Sequence, residues 1–324
     1  MMRLFLILLG LLSLGFSFEK MDKLVISGPV ANISHPLLRM IESGALSDIA
    51  DKVEFRLWQN PDELRAILLK KEVHIVALPT NVAANLYTKK EDIKLINVPI
   101  WGILEVVSRD PNIKSIHDLK GKEIIVPFRA DMPDIVLQAI IKKAGLDPKK
   151  DFRLKYVPSP PDAMQMLILR RADNVLLAEP ATSMAMRKTG SFPVSIIAPE
   201  LYRSLNLQDE WGRVFESDAK IPQAGFATVG KVDDTVIKRF NEEYAKALLW
   251  YQSHPKEAGI LVAKHIKMFQ AQAIEDSIAH TRFELKSAQQ SKEALEQFFK
   301  VLLDIEPKLI GGALPDDAFY DKGK

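Results

Sequence analysis

Residues 115–157 read SIHDLKGKEIIVPFRADMPDIVLQAIIKKAGLDPKKDFRLKYV, and this stretch decides the fold. The turn at 118–121 leads into the apolar run 122–128, which is typical of a buried strand. A helical pattern follows at 133–145, and a further strand is predicted at 151–158. The alternation of strand, turn and helix predicts an α/β fold.

The same alternation extends in both directions from this stretch. Before it, the sequence predicts strands at 24–26, 53–58 and 73–79, each followed by a helix, and then a pair of strands at 94–100 and 101–110. After it, the sequence predicts helices at 160–172 and 181–188 and strands at 174–180, 192–199 and 224–230, with a less regular stretch at 200–222. From Asp233 onwards the chain is predicted to be almost wholly helical, with helices from Asp233, at 255–266, at 272–280 and at 292–305, and to end in a loop and tail at 311–324.

The restart of the pattern beyond Asp110 predicts a second lobe, since about 300 residues exceed the usual domain size of ~100–200. The strand at 224–230 is predicted to return to the first lobe because helices follow it. The expected division is a discontinuous first lobe, 22–105 plus 223–324, and an inserted second lobe, 106–222. An inserted lobe needs an exit and a return, so two crossing segments are expected to form a hinge.

The N-terminus carries a basic Arg3 and an apolar run from Leu4 to Phe16, followed by the small residue Ser17. This pattern predicts a signal peptide at 1–17. The alternative is a membrane anchor, but the run is shorter than the ~20 residues that a spanning helix needs. The chain has no cysteine, so it cannot be a lipoprotein anchored through an N-terminal cysteine. We therefore expect a periplasmic protein that is soluble after cleavage of the signal peptide.

The composition and motifs exclude several classes of function. Lys and Arg total 44 against 42 Asp and Glu, and the two signs alternate along the chain, which argues against nucleic-acid binding. The six histidines are dispersed and no HExxH motif occurs, so no metal is expected. No cofactor is expected, because the sequence has neither GxGxxG nor GxxxxGKS. It also has no GxSxG nucleophile motif.

The order of segments resembles the periplasmic solute-binding proteins of the nitrate, sulfonate and taurine class of ABC importers, which includes thiamine-precursor binders. The resemblance is carried by VHIVALPTNVAANLY (73–87), by 115–157 and by ADNVLLAEPATSMAM (172–186). This chain keeps Asp173 but lacks the glycine that the family usually has before the last of these strands. The resemblance implies a two-lobe, type II periplasmic-binding-protein-like fold. In that fold a ligand closes the lobes, and the closed form docks on a membrane permease.

Ligands of open α/β sheets collect outside the carboxyl ends of strands, where turns enter helices. Four such turns supply the candidate ligand-binding residues. They are Ser27 and Gly28 with Asn32, then Thr80 and Asn81, then Phe128, Arg129 and Asp131, and finally Glu179 and Thr182. Trp101 at the expected crossing is a further candidate, because its ring could stack on a flat ligand.

Each of these candidates has a structural alternative. Thr80 and Thr182 could cap helices. Arg129 could form a salt bridge with Asp131 or Asp134 instead of holding a carboxylate, sulfonate or phosphate. Trp101 and Phe128 could be core aromatics. Glu179 needs a donor or cation, which could be a ligand amine or a backbone helix end.

The expected function is therefore solute binding, not catalysis. The partners are a small-molecule solute, either a flat heterocycle or an organic anion, and the permease of an ABC importer, with the chain acting as a monomer. Two alternatives stay open. One is an enzyme of the same fold that acts on a small heterocyclic precursor, since relatives include enzymes that make pyrimidine or menaquinone precursors. The other is a solute-sensing partner of a membrane receptor.

Overall fold

The computed structural model describes residues 19–192, 194–197 and 200–323. The predicted signal peptide at 1–17 lies outside these residues. The strands are β1 Met21–Pro29, β2 Ala50–Trp58, β3 Ile75–Pro79, β4 Ile93–Gly102, β5 Leu104–Ser108, β6 Glu123–Pro127, β7 Arg153–Val157, β8 Asn174–Ala178, β9 Tyr202–Asn206, β10 Ala224–Val229 and β11 Arg282–Ser287. The helices are α1 His35–Glu42, α2 Pro61–Lys70, α3 Thr80–Thr88, α4 Met132–Lys143, α5 Pro160–Ile168, α6 Ala181–Gly190, α7 Val194–Ile197, α8 Leu207–Phe215, α9 Asp234–Ser253, α10 Pro255–His265, α11 Ala271–Ala279 and α12 Ala288–Ile305.

The strands form two separate sheets. The first has the order β11-β4-β10-β3-β1-β2, and the second has the order β7-β6-β8-β5-β9. In the first sheet β1 runs parallel to β2 and β3, whereas β10 runs antiparallel to both β3 and β4. In the second sheet β6 runs parallel to β7 and β8, and β5 runs antiparallel to β8 and β9. The predicted α/β class is confirmed.

We call the part of the chain around the first sheet the first lobe and the part around the second sheet the second lobe. The chain leaves the first sheet after β4 and enters the second at β5, with Ile103 between them. It returns after α8 and enters the first sheet again as β10, so the predicted return strand is confirmed. The exact lobe boundaries, 22–105 plus 223–324 and 106–222, stay a prediction that this division of strands supports.

The core of the first lobe lies on both faces of its sheet. On one face Phe226 of β10 packs edge-on against Phe240 and Tyr244 of α9, with ring centroids 5.0 and 4.7 Å apart. Such edge-to-face pairs contribute about 0.5–1.5 kcal/mol each beyond the area they bury. On the other face Phe298 and Phe299 of α12 are buried in a cluster with residues of α3. Helices on both faces leave the strand ends of the sheet as the place where a ligand can enter.

The segment from 192 to 222 differs from the prediction. Its described residues Val194–Ile197 form the single helical turn α7, not a strand, whereas 193, 198 and 199 lie outside the described residues. The stretch expected to be irregular contains β9 and α8. Asn206 begins α8 because its side chain accepts hydrogen bonds from the backbone N–H groups of Gln208 and Asp209.

The C-terminal region also differs. The strand β11 at Arg282–Ser287 was not predicted, because Phe283 and Leu285 alternate with polar residues over only six positions, a short signal between two predicted helices. The tail is not a free loop. Phe319 and Tyr320 are buried, and the Asp321 N–H donates to the carbonyl of Leu95 in β4. No helix among the described residues is both long and apolar enough to span a membrane.

Candidate functional site

Two predicted ligand turns, one from each lobe, meet at the hinge. The Thr80 N–H donates to the Gln223 carbonyl at 3.1 Å, and the Ile103 N–H donates to the Gln223 side-chain Oε1 at 2.9 Å. The Glu179 N–H in turn donates to the Ile103 carbonyl at 2.9 Å. Three hydrogen bonds therefore connect the turn after β3 with the turn after β8. The structure therefore brings these two turns, one from each lobe, close together at the crossing.

A second buried glutamine, Gln208 of α8, supports the same crossing. Its Oε1 accepts the Leu104 N–H and its Nε2 donates to the Leu104 carbonyl, both at 3.1 Å. Gln208 and Gln223 are each almost completely buried. Neither glutamine is a candidate from the sequence, because a single glutamine carries no pattern that distinguishes it from a surface residue.

The turn after β1 is satisfied largely by the protein itself. The Ser27 Oγ donates to the Arg56 carbonyl at 2.8 Å, and the Asn32 Nδ2 donates to the Thr281 Oγ1 at 2.7 Å. Gly28 is buried, and a Cβ there would lie 2.3 Å from the Ser34 Oγ. These contacts give Ser27 and Asn32 structural roles. Ligand contact by Ser27, Gly28 and Asn32 stays a prediction.

Ser34 has a different environment from its neighbours. It is fully buried, and its Oγ has no hydrogen-bond partner among the described residues. A buried polar atom without a partner is rare in native proteins and requires an explanation such as an unseen water or ligand. Ser34 was missed as a candidate because the sequence analysis read it only as the residue before the first helix.

Thr80 and Asn81 follow β3 and begin α3. The Thr80 Oγ1 donates to the Pro222 carbonyl at 2.5 Å, so the side chain holds the return crossing and does not cap α3. The capping alternative for Thr80 is wrong. The Asn81 side chain is 4% exposed, and within the described part of the chain its Oδ1 accepts no hydrogen bond. Asn81 therefore presents a buried acceptor that lacks a donor.

Glu179 is part of a buried ion-pair network in the second lobe. Its Oε1 lies 2.5 Å from the Nη1 of Arg203, which also contacts Glu105, and its Oε2 accepts the Ser183 N–H. Burial raises the pKa of Glu179, and the positive charge of Arg203 opposes the rise. The predicted need for a donor or cation is met from within the protein, by Arg203 of β9 and the backbone of α6. Arg203 lies in the segment that the sequence analysis read as irregular, so it was missed.

Thr182 lies in the first turn of α6 and is fully buried. It does not cap that helix, because the N-cap residue of α6 is Pro180, and no side chain caps the helix there. The capping alternative is therefore wrong for Thr182 as well. Its Oγ1 has no partner among the described residues. Like Asn81 in the first lobe, Thr182 offers a buried polar atom at a strand end.

The turn after β6 has an unusual backbone. Phe128 and Ala130 have φ values of +59° and +61°, in the left-handed region that non-glycine residues rarely adopt. Residues held in this region cost of order 1–3 kcal/mol each and cluster at ligand sites. Phe128 is half-buried, which leaves its predicted role open. Asp131 caps α4 by accepting the Met132 N–H at 2.8 Å, and burial raises the pKa of Asp131.

Arg129 is exposed at the tip of this turn. Its guanidinium carbon lies 5.3 Å from the ring centroid of Tyr156, a cation–π distance. The described residues place no carboxylate within 4 Å of its guanidinium. The alternative of a salt bridge to Asp131 or Asp134 is therefore wrong, and contact of Arg129 with an anion stays a prediction.

Trp101 is a core residue in this structure. It is 2% exposed, and its Nε1 donates to the carbonyls of Val98 and Glu284 at 3.0 and 2.7 Å. Its backbone carbonyl accepts the Ile221 N–H, which joins the two crossing segments. The structure thus matches the alternative interpretation, a core aromatic at the lobe junction. Among the described residues, no group of three or more His, Asp or Glu side chains could hold a metal ion.

The comparisons with known proteins agree with this geometry. Residues 94–214, from β4 to α8, match the family model described as NMT1/THI5 like. A crystal structure of an ABC transporter from Parabacteroides distasonis is similar at 25% identity with a TM-score of 0.77, covering 94% of this chain and 100% of that one. The chain has the two-lobe fold of periplasmic solute-binding proteins. The two-lobe fold that the resemblance to the nitrate and sulfonate class implies is confirmed.

Two further solute-binding proteins share the fold at lower identity. One is the periplasmic aliphatic sulphonate binding protein SsuA from Escherichia coli, at 14% identity and a TM-score of 0.65, covering 92% of this chain and 95% of that one. The other is the periplasmic nitrate-binding protein NrtA from Synechocystis PCC 6803, at 12% identity and a TM-score of 0.65, covering 88% and 82%. No curated protein matches the sequence.

Proposed function

We propose that this chain is the solute-binding component of an ABC import system. It captures a small organic solute between its two lobes in the periplasm and delivers it to a membrane permease. The first lobe is taken as 22–105 plus 223–324, the second as 106–222, and residues 1–17 as the signal peptide. The interpretation as a monomer without catalytic activity is part of the same proposal.

One observation carries the proposal beyond the fold. In the turns that follow strands in both lobes, three buried polar atoms have no hydrogen-bond partner among the residues that the structure describes: the Ser34 Oγ and Asn81 Oδ1 in the first lobe and the Thr182 Oγ1 in the second. Leaving such a group unpaired costs about 1–3 kcal/mol, which a solute that pairs with it would recover. A solute that engages both lobes favours the closed arrangement, as a binding protein requires.

The proposed solute is a flat heterocycle or a small organic anion. Arg129 is the candidate that pairs with a carboxylate, sulfonate or phosphate, and Phe128 beside it offers an aromatic surface. Asn81 supplies an acceptor for an N–H or O–H of the solute. Glu179 is assigned a supporting role, because its carboxylate is already bound by Arg203 and Ser183.

Thermal unfolding of the protein from Phe18 onward, refolded to remove carried-over solute, tests the proposal. The panel contains pyrimidines, thiamine, flavins, sulfonates and small organic acids. A solute at 100 times its Kd adds about 2.7 kcal/mol to the free energy of unfolding. A hit should weaken about tenfold in Asn81→Leu and remain unchanged in Asn112→Leu, an exposed control. Absence of any hit would contradict the proposed solute classes.

The two alternatives make different predictions. An enzyme of this fold would convert the bound compound, so mass spectrometry of a hit after incubation would show a new product. A sensing partner would co-purify from membranes with a receptor, not with a permease. Recovery of the unchanged solute together with permease binding would support the transport function.

A further inference from the structure

The turn that carries Arg129 is braced from beneath by a buried carboxylate. Asp134 is 1% exposed, and its Oδ2 accepts the Ala130 N–H at 2.8 Å. Its Oδ1 accepts a hydrogen bond from the Gln138 Nε2 at 2.8 Å and another from the Tyr156 hydroxyl at 3.1 Å. Asp134 therefore fixes both the backbone next to Arg129 and the ring on which Arg129 rests.

This arrangement holds a conformation that the turn would not adopt alone. Phe128 and Ala130 both have positive φ, on either side of Arg129, and neither is glycine. A strained turn persists only where surrounding contacts over-determine it. The Asp134 carboxylate supplies one of these contacts to Ala130, and the Asp131 N–H supplies another by donating to the Phe128 carbonyl at 3.1 Å.

Tyr156 supports the Arg129 side chain, as Asp134 supports the backbone of the turn. It lies on β7, parallel to β6, and its hydroxyl donates to Asp134 while its ring faces the Arg129 guanidinium. Desolvation and the nearby Asp134 raise the pKa of Tyr156 to about 12, so the hydroxyl keeps its proton and continues to donate. A guanidinium that rests on a ring loses less conformational freedom on binding an anion.

We propose that Asp134 and Tyr156 are positioning residues that hold Arg129 ready to bind an anionic group of the solute. The inference rests on the proposed function, and it adds two residues that do not themselves touch the solute. Asp131, which caps α4, and Asp134, which accepts from three donors, form no ion pair with Arg129 within the described part of the chain. The counter-charge is left for the solute to provide.

Inorganic sulfate is a suitable probe, because it tests the anion site without knowledge of the natural solute. Titration of the isotope-labelled protein, followed by NMR at the backbone amides of 128–132, should show a saturable shift in the unmodified protein. Arg129→Ala should abolish it. Asp134→Asn should weaken it about tenfold, as expected for loss of hydrogen bonds to a charged group. Tyr156→Leu should weaken it about three- to fivefold.

Asp118→Asn is the control, because Asp118, like Asp134, is the third residue of its helix, Ile116–Leu119, and accepts backbone N–H groups that precede that helix, those of Lys114 and Ser115. It should leave sulfate binding unchanged. A positioning role also predicts that Asp134→Asn has no further effect once Arg129 is alanine. If Asp134→Asn fails to fold, the sulfate affinity of Tyr156→Leu tests the positioning role instead, because Tyr156 lies on the half-buried edge strand β7.

Three results would overturn the inference. They are no saturable shift in the unmodified protein, unchanged sulfate affinity in both positioning variants, or equal weakening in Asp118→Asn. None of them would refute solute binding, which the solute panel tests separately with neutral heterocycles. A panel hit that is neutral and insensitive to Arg129→Ala would keep the proposed function and remove the anion site.

Discussion

Replacement of Arg203 by methionine should lower the free energy of unfolding of the second lobe, because it leaves two buried carboxylates without their cation. Arg203 bridges Glu105 and Glu179, which are 4% and 0% exposed, and its Nη2 donates to the Ser183 Oγ at 2.8 Å. Removal of one partner from a buried ion pair costs about 3–5 kcal/mol. The side chain of Arg203 is itself 18% exposed, so we expect about 3 kcal/mol, equivalent to a drop in Tm of about 10 °C.

The loss should depend on pH. Burial raises the pKa of Glu179 in the folded protein above its unfolded value. Such a group adds stability that is fully present below the unfolded pKa and is lost as pH rises through the folded one. Arg203 opposes the rise, so its removal raises the folded pKa further. The destabilisation should therefore be largest near neutral pH and smallest at about pH 4.

Urea unfolding of Arg203→Met at both pH values, followed by tryptophan fluorescence and circular dichroism, measures the effect. Lys150→Met is the control, because both partners of its ion pair with Asp147 are exposed and that pair should contribute about 1 kcal/mol or less. The double variant with Glu179→Gln should recover part of the loss. A loss below 1 kcal/mol, or an equal loss at both pH values, would refute the reasoning about the buried network.

Three more predictions follow from single contacts. Asn81→Leu should keep or raise the Tm of the solute-free protein, because it removes a buried acceptor without a donor; a fall of several degrees in differential scanning fluorimetry would show that Asn81 has a hidden partner. Gln223→Leu should cost about 1–3 kcal/mol and widen the distribution of interlobe distances in small-angle X-ray scattering, whereas the exposed Gln165→Leu should change neither. Gly225→Ala should cost about 1–3 kcal/mol in urea unfolding, since its Cβ would lie 2.3 Å from a backbone carbonyl oxygen of β4. Gly190→Ala is the control, because a Cβ there would meet open space, and an equal cost in both variants would contradict the prediction.

The sequence determined the local elements and their order. Apolar runs such as Leu24–Ile26, bounded by turn residues, form strands because burial on both sides of a sheet needs a continuous apolar segment. Helices such as α9 follow from their caps and apolar spacing, and the strand after Pro222 was correctly read as a return to the first sheet. The sequence did not predict β9, β11 or α7 correctly. These elements are short or only half-buried, so they carry a weak periodic signal.

Only the tertiary structure decided how the candidate residues are used. Arg203 lies 98 residues from Glu105, and Gln223 lies 120 residues from Ile103, so nothing in the local sequence assigns these partners. The local sequence also does not show that the Asn32 side chain donates to Thr281. Nor does it show that the Asn81 Oδ1 accepts no hydrogen bond from the described residues. Strand ends could be located from the sequence because periodicity is local. Whether a polar atom there is satisfied or left for a solute depends on packing between distant segments.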